Sequence, residues 1–164
     1  MFQALPGRAF PTLVPQPYRL DFGPTWDQGV AAWLPPRLGE PYQTFVPAVD
    51  TDGNEVAGIR LPDLTVPLAT YAGWNPRHPT QGAPEQSLRM HGATMPFAPT
   101  PSARERSGDP RPSIAERYAS KAVYLALVTR AVETLVAEGY LLAADLDELI
   151  QHAAWRYDLF TQQL

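Results

Sequence analysis

Serine, histidine and the carboxylates of one aspartate-rich turn are the residues of this chain that could carry hydrolytic or proton-transfer chemistry. The five serines are Ser87, Ser102, Ser107, Ser113 and Ser120, and none lies in the Gly-x-Ser-x-Gly elbow that presents a nucleophile on a strained strand-to-helix turn. Ser113 instead opens Ser113-Ile114-Ala115-Glu116, a capping box, and Ser120 reads as a second helix start. The three histidines, His78, His91 and His152, are too widely spaced for a helical His-x-x-x-His metal pair. His78 lies in the loop Trp74-Asn75-Pro76-Arg77-His78-Pro79, beside an arginine and an indole. An imidazole titrates near neutral pH, which makes His78 a candidate general base. Asp50-Thr51-Asp52-Gly53-Asn54 sets side-chain oxygens at alternate positions, as a calcium loop begins. Glu55 stands where that loop needs glycine and Leu61 where it needs a bidentate glutamate, so a tight turn held by its own aspartates is expected. The candidate site residues are therefore His78, Asp50 and Asp52. With no cysteine and no Gly-x-x-x-x-Gly-Lys run, no thiolate chemistry, phosphate loop, metal or cofactor is read from the chain.

The elements that must position these groups change character at Ser113. All nineteen prolines of the 164 residues precede it. Residues 1–41 read as extended, irregular chain, because eight prolines break any helix or central strand. Aromatic rings interleave those prolines, which points to a segment anchored on a folded surface rather than a disordered linker. Residues 42–61 read as a β-hairpin, Tyr42–Val49 and Val56–Leu61 around an Asp-Gly turn, with Pro47 confining the first strand to an edge. Residues 62–112 read as long loops. In them Arg104, Arg106 and Arg111, with Glu105 and Asp109, read as surface or salt-bridging residues that stitch the loop to the helix that follows. Residues 113–160 read as a helical hairpin. Tyr124, Leu127, Val128, Ala131 and Leu135 make one apolar stripe, Gly139 ends the first helix, and a second runs from about Ala143 to Tyr157. The expected class is thus α+β with much irregular proline-rich chain, the three segments forming one structural unit.

A net charge of -4 with no basic stripe argues against a nucleic-acid partner. No apolar run approaches a membrane span, and the opening residues do not read as a signal peptide. The compartment stays open. Two helices cannot close a core alone, so their stripe needs the first 112 residues, a protein partner or a second copy.

Three stretches together carry a resemblance: Val46-Pro47-Ala48-Val49-Asp50-Thr51-Asp52-Gly53-Asn54-Glu55-Val56-Ala57-Gly58-Ile59-Arg60-Leu61-Pro62 with its continuation Val66–Asn75, then Pro96-Phe97-Ala98, then Gly108–Tyr118. Their order and spacing resemble the C-terminal region of a bacterial family of alpha/beta-hydrolase domain-containing proteins, over roughly residues 36–160. The resemblance implies a hydrolase-type fold with ester or amide hydrolysis, in which the nucleophile elbow precedes the acid and the histidine along the chain. Nothing resembling the nucleophile-bearing region occurs in these 164 residues. The resemblance therefore implies an incomplete part of an α/β-hydrolase-like fold, whose partner is the N-terminal, nucleophile-bearing portion. It places no triad residue.

Overall fold

The computed structural model describes residues 17–162 apart from 44, 46, 84–86 and 89. The chain divides into two compact units, one spanning Pro11–Val46 and the other holding Pro47–Leu164.

In the first unit a short ribbon forms where an irregular chain was expected. Strand β1 (Tyr18–Asp21) pairs antiparallel with β2 (Arg37–Pro41), bringing Leu20 opposite Leu38 and Asp21 opposite Arg37. Among the described residues it has two strands. A bulge interrupts the register between Tyr18 and Leu20. The intervening loop is fixed by ring contacts. Phe22 stacks on Trp26 at 4.3 Å, and the Arg37 guanidinium lies 3.7 Å from the centre of Trp33.

The second unit contains α1 (Pro62–Thr65), β3 (Ala69–Ala72), β4 (Asn75–Pro76), β5 (Ser87–Leu88), β6 (Ala93–Pro96), α2 (Pro101–Ser107), α3 (Ile114–Arg117), α4 (Lys121–Ala137) and α5 (Leu146–Thr161). Among the described residues every sheet is two-stranded and antiparallel: β1 with β2, β3 with β6, β4 with β5. The mixed α+β class expected from the chain is what forms, but the strands are not where they were expected. Among the described residues of 42–61 the expected hairpin shortens to its turn end. Their pairing reduces to one bridge, Val49 with Glu55, around the Asp50–Gly53 turn. Pro47 cannot donate to a ladder, and the Asn54 side chain leaves the turn to bond β3 instead. The supposed loops of 62–112 supply the longer pair, β3 with β6. Gly92 enters β6 so close to β3 that a β-carbon there would sit 2.7 Å from the Ala72 carbonyl oxygen.

The C-terminal part follows its local signals. Ser113 and Glu116 satisfy each other's backbone donors in a complete capping box, and the Ser120 hydroxyl accepts from Val123 N to start α4. Gly139 follows α4 in the left-handed conformation, with φ of 81°, and turns the chain toward α5. α4 buries Tyr124, Val128, Val132 and Leu135, whereas Leu127 stays 39% exposed. The stripe is therefore rotated toward Val132 relative to the one expected. Its partners are Val66, Leu68, Phe97, Ile114 and Ala153, so the chain entering β3, the residue after β6, α3 and α5 all contribute to one core. Tyr118, Tyr124 and Tyr157 form a ring ladder through it, with centroids 5.1 and 5.2 Å apart.

Candidate functional site

The turn of Asp50 to Asn54 is held to the core by its polar side chains. Asp50 Oδ1 accepts from the backbone N–H of Asp52 at 2.9 Å and of Asn54 at 3.0 Å, which closes the turn. Asp50 Oδ2 takes Arg60 Nη2 at 3.0 Å. Asp52 is buried, and both its oxygens face the Arg117 guanidinium, one at 2.8 Å. Guanidinium groups thus supply the positive charge that a calcium loop would take from an ion. Among the described residues no group of three or more acidic, histidine or cysteine side chains could hold a metal.

Asn54 is fully buried and behaves as a piece of strand. Its Nδ2 donates to the Ala69 carbonyl at 3.1 Å and its Oδ1 accepts from Tyr71 N–H at 2.8 Å. Between those two groups, the Thr70 hydroxyl donates to the Asp52 carbonyl and accepts from Arg111 Nη1 at 2.8 Å. Arg111 also donates to the Met95 carbonyl at 2.9 Å and the Pro96 carbonyl at 3.2 Å, and it pairs with Asp109 at 2.6 Å. The Arg117 and Arg111 guanidinium carbons lie 4.1 and 5.0 Å from the centre of the buried Phe97 ring. Three aspartates, Asp50, Asp52 and Asp109, meet three arginines, Arg60, Arg111 and Arg117, so the network carries no formal excess of charge.

Burial acts to raise the Asp109 carboxyl, but the hydrogen bonds and charge of Arg111, with help from Arg117, outweigh it and hold it below the usual range. Asp63, the α1 partner of Arg156 at 2.5 Å, goes the other way. Burial there outweighs the arginine and the more distant His152, and its carboxyl titrates above its ordinary value. Burial also lifts the phenols of Tyr71 and Tyr118 to about 12.

His78 is placed apart from this network. It is exposed, with Nδ1 2.8 Å from the Thr80 hydroxyl and in reach of Thr80 N–H at 3.3 Å. No hydrogen bond or ion pair joins it to Asp50 or Asp52. The described serine hydroxyls are also engaged locally. Ser113 and Ser120 cap helices, Ser107 donates to the Arg104 carbonyl at 3.0 Å, and Ser102 lies 3.3 Å from the Thr100 hydroxyl. A general base needs a free lone pair within reach of the proton it takes. Asp52 offers both of its oxygens to Arg117, whereas His78 faces solvent.

Sequence reasoning located the turn and missed what holds it. The salt-bridging role read for Arg111 and Asp109 is what forms, as a buried pair, and Arg104 makes the stitch to the helix, 3.3 Å from Glu116. Arg117, Asn54, Thr70 and Phe97 carried no local signal.

The unit that holds residues 47–162 is thus mixed helix and antiparallel strand, and a charge-balanced aspartate–arginine lattice ties its 50–54 turn to β3, β6 and α3. The sequence profile of an alpha/beta hydrolase domain family matches residues 14–151, and the chain belongs to that family. No curated protein and no solved structure matches it. Among the described residues no helix is long and apolar enough to cross a membrane.

Proposed function

We propose that this chain is the bracing, non-nucleophilic portion of an alpha/beta-hydrolase-like enzyme acting on esters or amides, and that turnover requires a nucleophile-bearing body packed against it. The observation that carries this reading is the fate of four of the five serines: Ser102, Ser107, Ser113 and Ser120 are each engaged in a local cap or turn contact, within a chain whose family is a hydrolase domain. The two-stranded antiparallel sheets support it, because a nucleophile elbow is built on a strand-to-helix turn of a parallel sheet. In this reading Asp50 and Asp52 fix the turn, and His78 is the imidazole open to a substrate. The experiment is an assay of the purified chain on 4-nitrophenyl acetate and butyrate. The expected rate equals the buffer background. A turnover that disappears on replacing a single serine by alanine overturns the proposal.

A second reading, a self-associating interaction module, is favoured by the exposure of Trp155 (63%) and Leu142 (70%) on the helical hairpin. Sedimentation velocity decides it: a dimer that Trp155→Ser dissociates supports the module.

A further inference from the structure

We propose that Asp52 and Gly53 form a latent isoaspartate site, and that the Arg117 guanidinium is the group that keeps it closed. The turn itself demands the two residue types most open to this chemistry. Gly53 has a φ of 82°, a left-handed conformation that strains residues with a β-carbon. Asp52 is the buried carboxylate that meets Arg117. A glycine after an aspartate leaves the intervening amide nitrogen unshielded by any side chain, so this link is the most easily attacked of its kind.

The reaction needs nothing but water. The Gly53 amide nitrogen attacks Cγ of the protonated Asp52 carboxyl. The N–Cγ bond forms, a Cγ–O bond breaks, and the hydroxyl leaves as water with the amide proton. Water then opens the cyclic imide at either carbonyl. One opening restores aspartate. The other runs the main chain through Cβ and Cγ and leaves the carboxylate on Cα, so mass is unchanged but the backbone is longer by a methylene. The carboxylate then hangs from the wrong atom to meet Arg117.

In the folded chain each polar group involved is held. Asp52 N–H donates to Asp50 Oδ1 at 2.9 Å, and the Asp52 carbonyl accepts from the Thr70 hydroxyl. Both carboxylate oxygens face Arg117, one at 2.8 Å. Gly53 N–H donates to the Asp50 carbonyl at 3.0 Å. Attack requires the nitrogen to line up on Cγ at near-contact distance, and a carboxylate drawn off to α3 does not offer that geometry. Conversion therefore proceeds through local openings of the turn, at the free-peptide rate scaled by the fraction open.

The test follows isoaspartate at position 52 in the native chain, in Arg117→Gln, in Arg117→Lys and in a free peptide of residues 49–56, all at neutral pH. The readouts are methyl transfer by an isoaspartyl methyltransferase and fragmentation mass spectrometry. The peptide is expected to convert fastest and the native chain at least about tenfold more slowly. Arg117→Gln should fall between them, with Arg117→Lys nearer the native chain, because an ammonium keeps the charge without the two-pronged grip. Equal rates for native chain and peptide, or for the native chain and a folded Arg117→Gln, overturn the assignment. A second measurement covers a variant that unfolds. In the native chain, at urea concentrations below its unfolding transition, conversion is compared with hydrogen exchange of the Asn54 amide, whose 3.0 Å bond to Asp50 Oδ1 breaks when the turn opens. The two rates should rise in proportion, and a conversion rate indifferent to that exchange overturns the assignment as well.

Discussion

Arg117 and Asp52, 65 positions apart, meet in a two-pronged pair, with Nη1 2.8 Å from Oδ2 and Nη2 on Oδ1. The pair ties α3 to the turn of residues 50–54, and its side chains are only 17% and 12% exposed. Removing one member of such a pair leaves the other as an uncompensated charge. Arg117→Gln is therefore expected to lower unfolding free energy by about 3 kcal/mol. Urea denaturation followed by circular dichroism measures it. Asp52→Asn in the Arg117→Gln background should then cost little more, since the charge it removes has already lost its partner. Full additivity of the two losses contradicts the coupling.

Asn54 uses both ends of its carboxamide on β3, donating to Ala69 and accepting from Tyr71. Asn54→Asp keeps the shape and the acceptor but turns an unprotonated oxygen toward the Ala69 carbonyl. The expected loss is about 1–3 kcal/mol at neutral pH. Relative to the native chain, the loss should shrink as pH falls toward about 4, the ordinary carboxyl value, because the buried carboxyl facing a carbonyl regains its proton above that pH and can donate again. A loss independent of pH argues against the donor role.

Ser113 spans the start of α3, its hydroxyl 2.6 Å from Glu116 and its N–H 2.7 Å from the same carboxylate oxygen. Ser113→Ala should cost about 1 kcal/mol by thermal denaturation, the usual worth of an N-cap. Under the proposed function, the same variant in a complex with the nucleophile-bearing body leaves kcat on an activated ester unchanged. A rate collapse without a stability change assigns Ser113 to the chemistry.

The pH profile of stability is set from both ends. Tyr71 and Tyr118 are lifted by burial from 10.0 to about 12. The unfolded chain therefore releases these protons first, so stability is full below pH 10 and is lost as pH rises toward 12. Phenolate absorbance at 295 nm and circular dichroism should then change together over that interval. Asp109 acts in the opposite sense: its depressed carboxyl contributes stability above 3.8 that is lost as pH falls through its folded value. Asp109→Asn removes that acid-side loss. Asp63, raised by burial, adds no stability on the neutral side, because ionising it costs more in the folded state than in the unfolded one.

What could be read from the chain and what could not separate along sequence distance. Ser113 with Glu116, Ser120 and Gly139 are signals contained within a few residues, and each does what its local pattern implies. The α+β class followed from the contrast between the proline-rich stretch and the proline-free helices. The hairpin of 42–61 is shorter among the described residues than its pattern implies, because Asn54 bonds a partner fifteen residues away, which no dipeptide rule contains. Arg111 meets Thr70 across 41 positions and Arg117 meets Asp52 across 65. A guanidinium's interior partner is chosen by the packed fold, and composition cannot name it. Asp50 was legible as a turn former through Asp-Gly, but its tie to Arg60 and the solvent-facing place of His78 were not.

The side-chain amide that stands in for a peptide on β3 also decides how the molecule fails. β3 pairs with β6 along one edge, and Asn54 occupies backbone groups of the other. Those groups would otherwise be the template on which a neighbouring chain adds a strand. Whatever lifts the turn, whether heat, acid or loss of Arg117, uncovers that template before the helical core need open. The first casualty of a loosened turn is then solubility, with copies joining edge to edge while their helices are still intact.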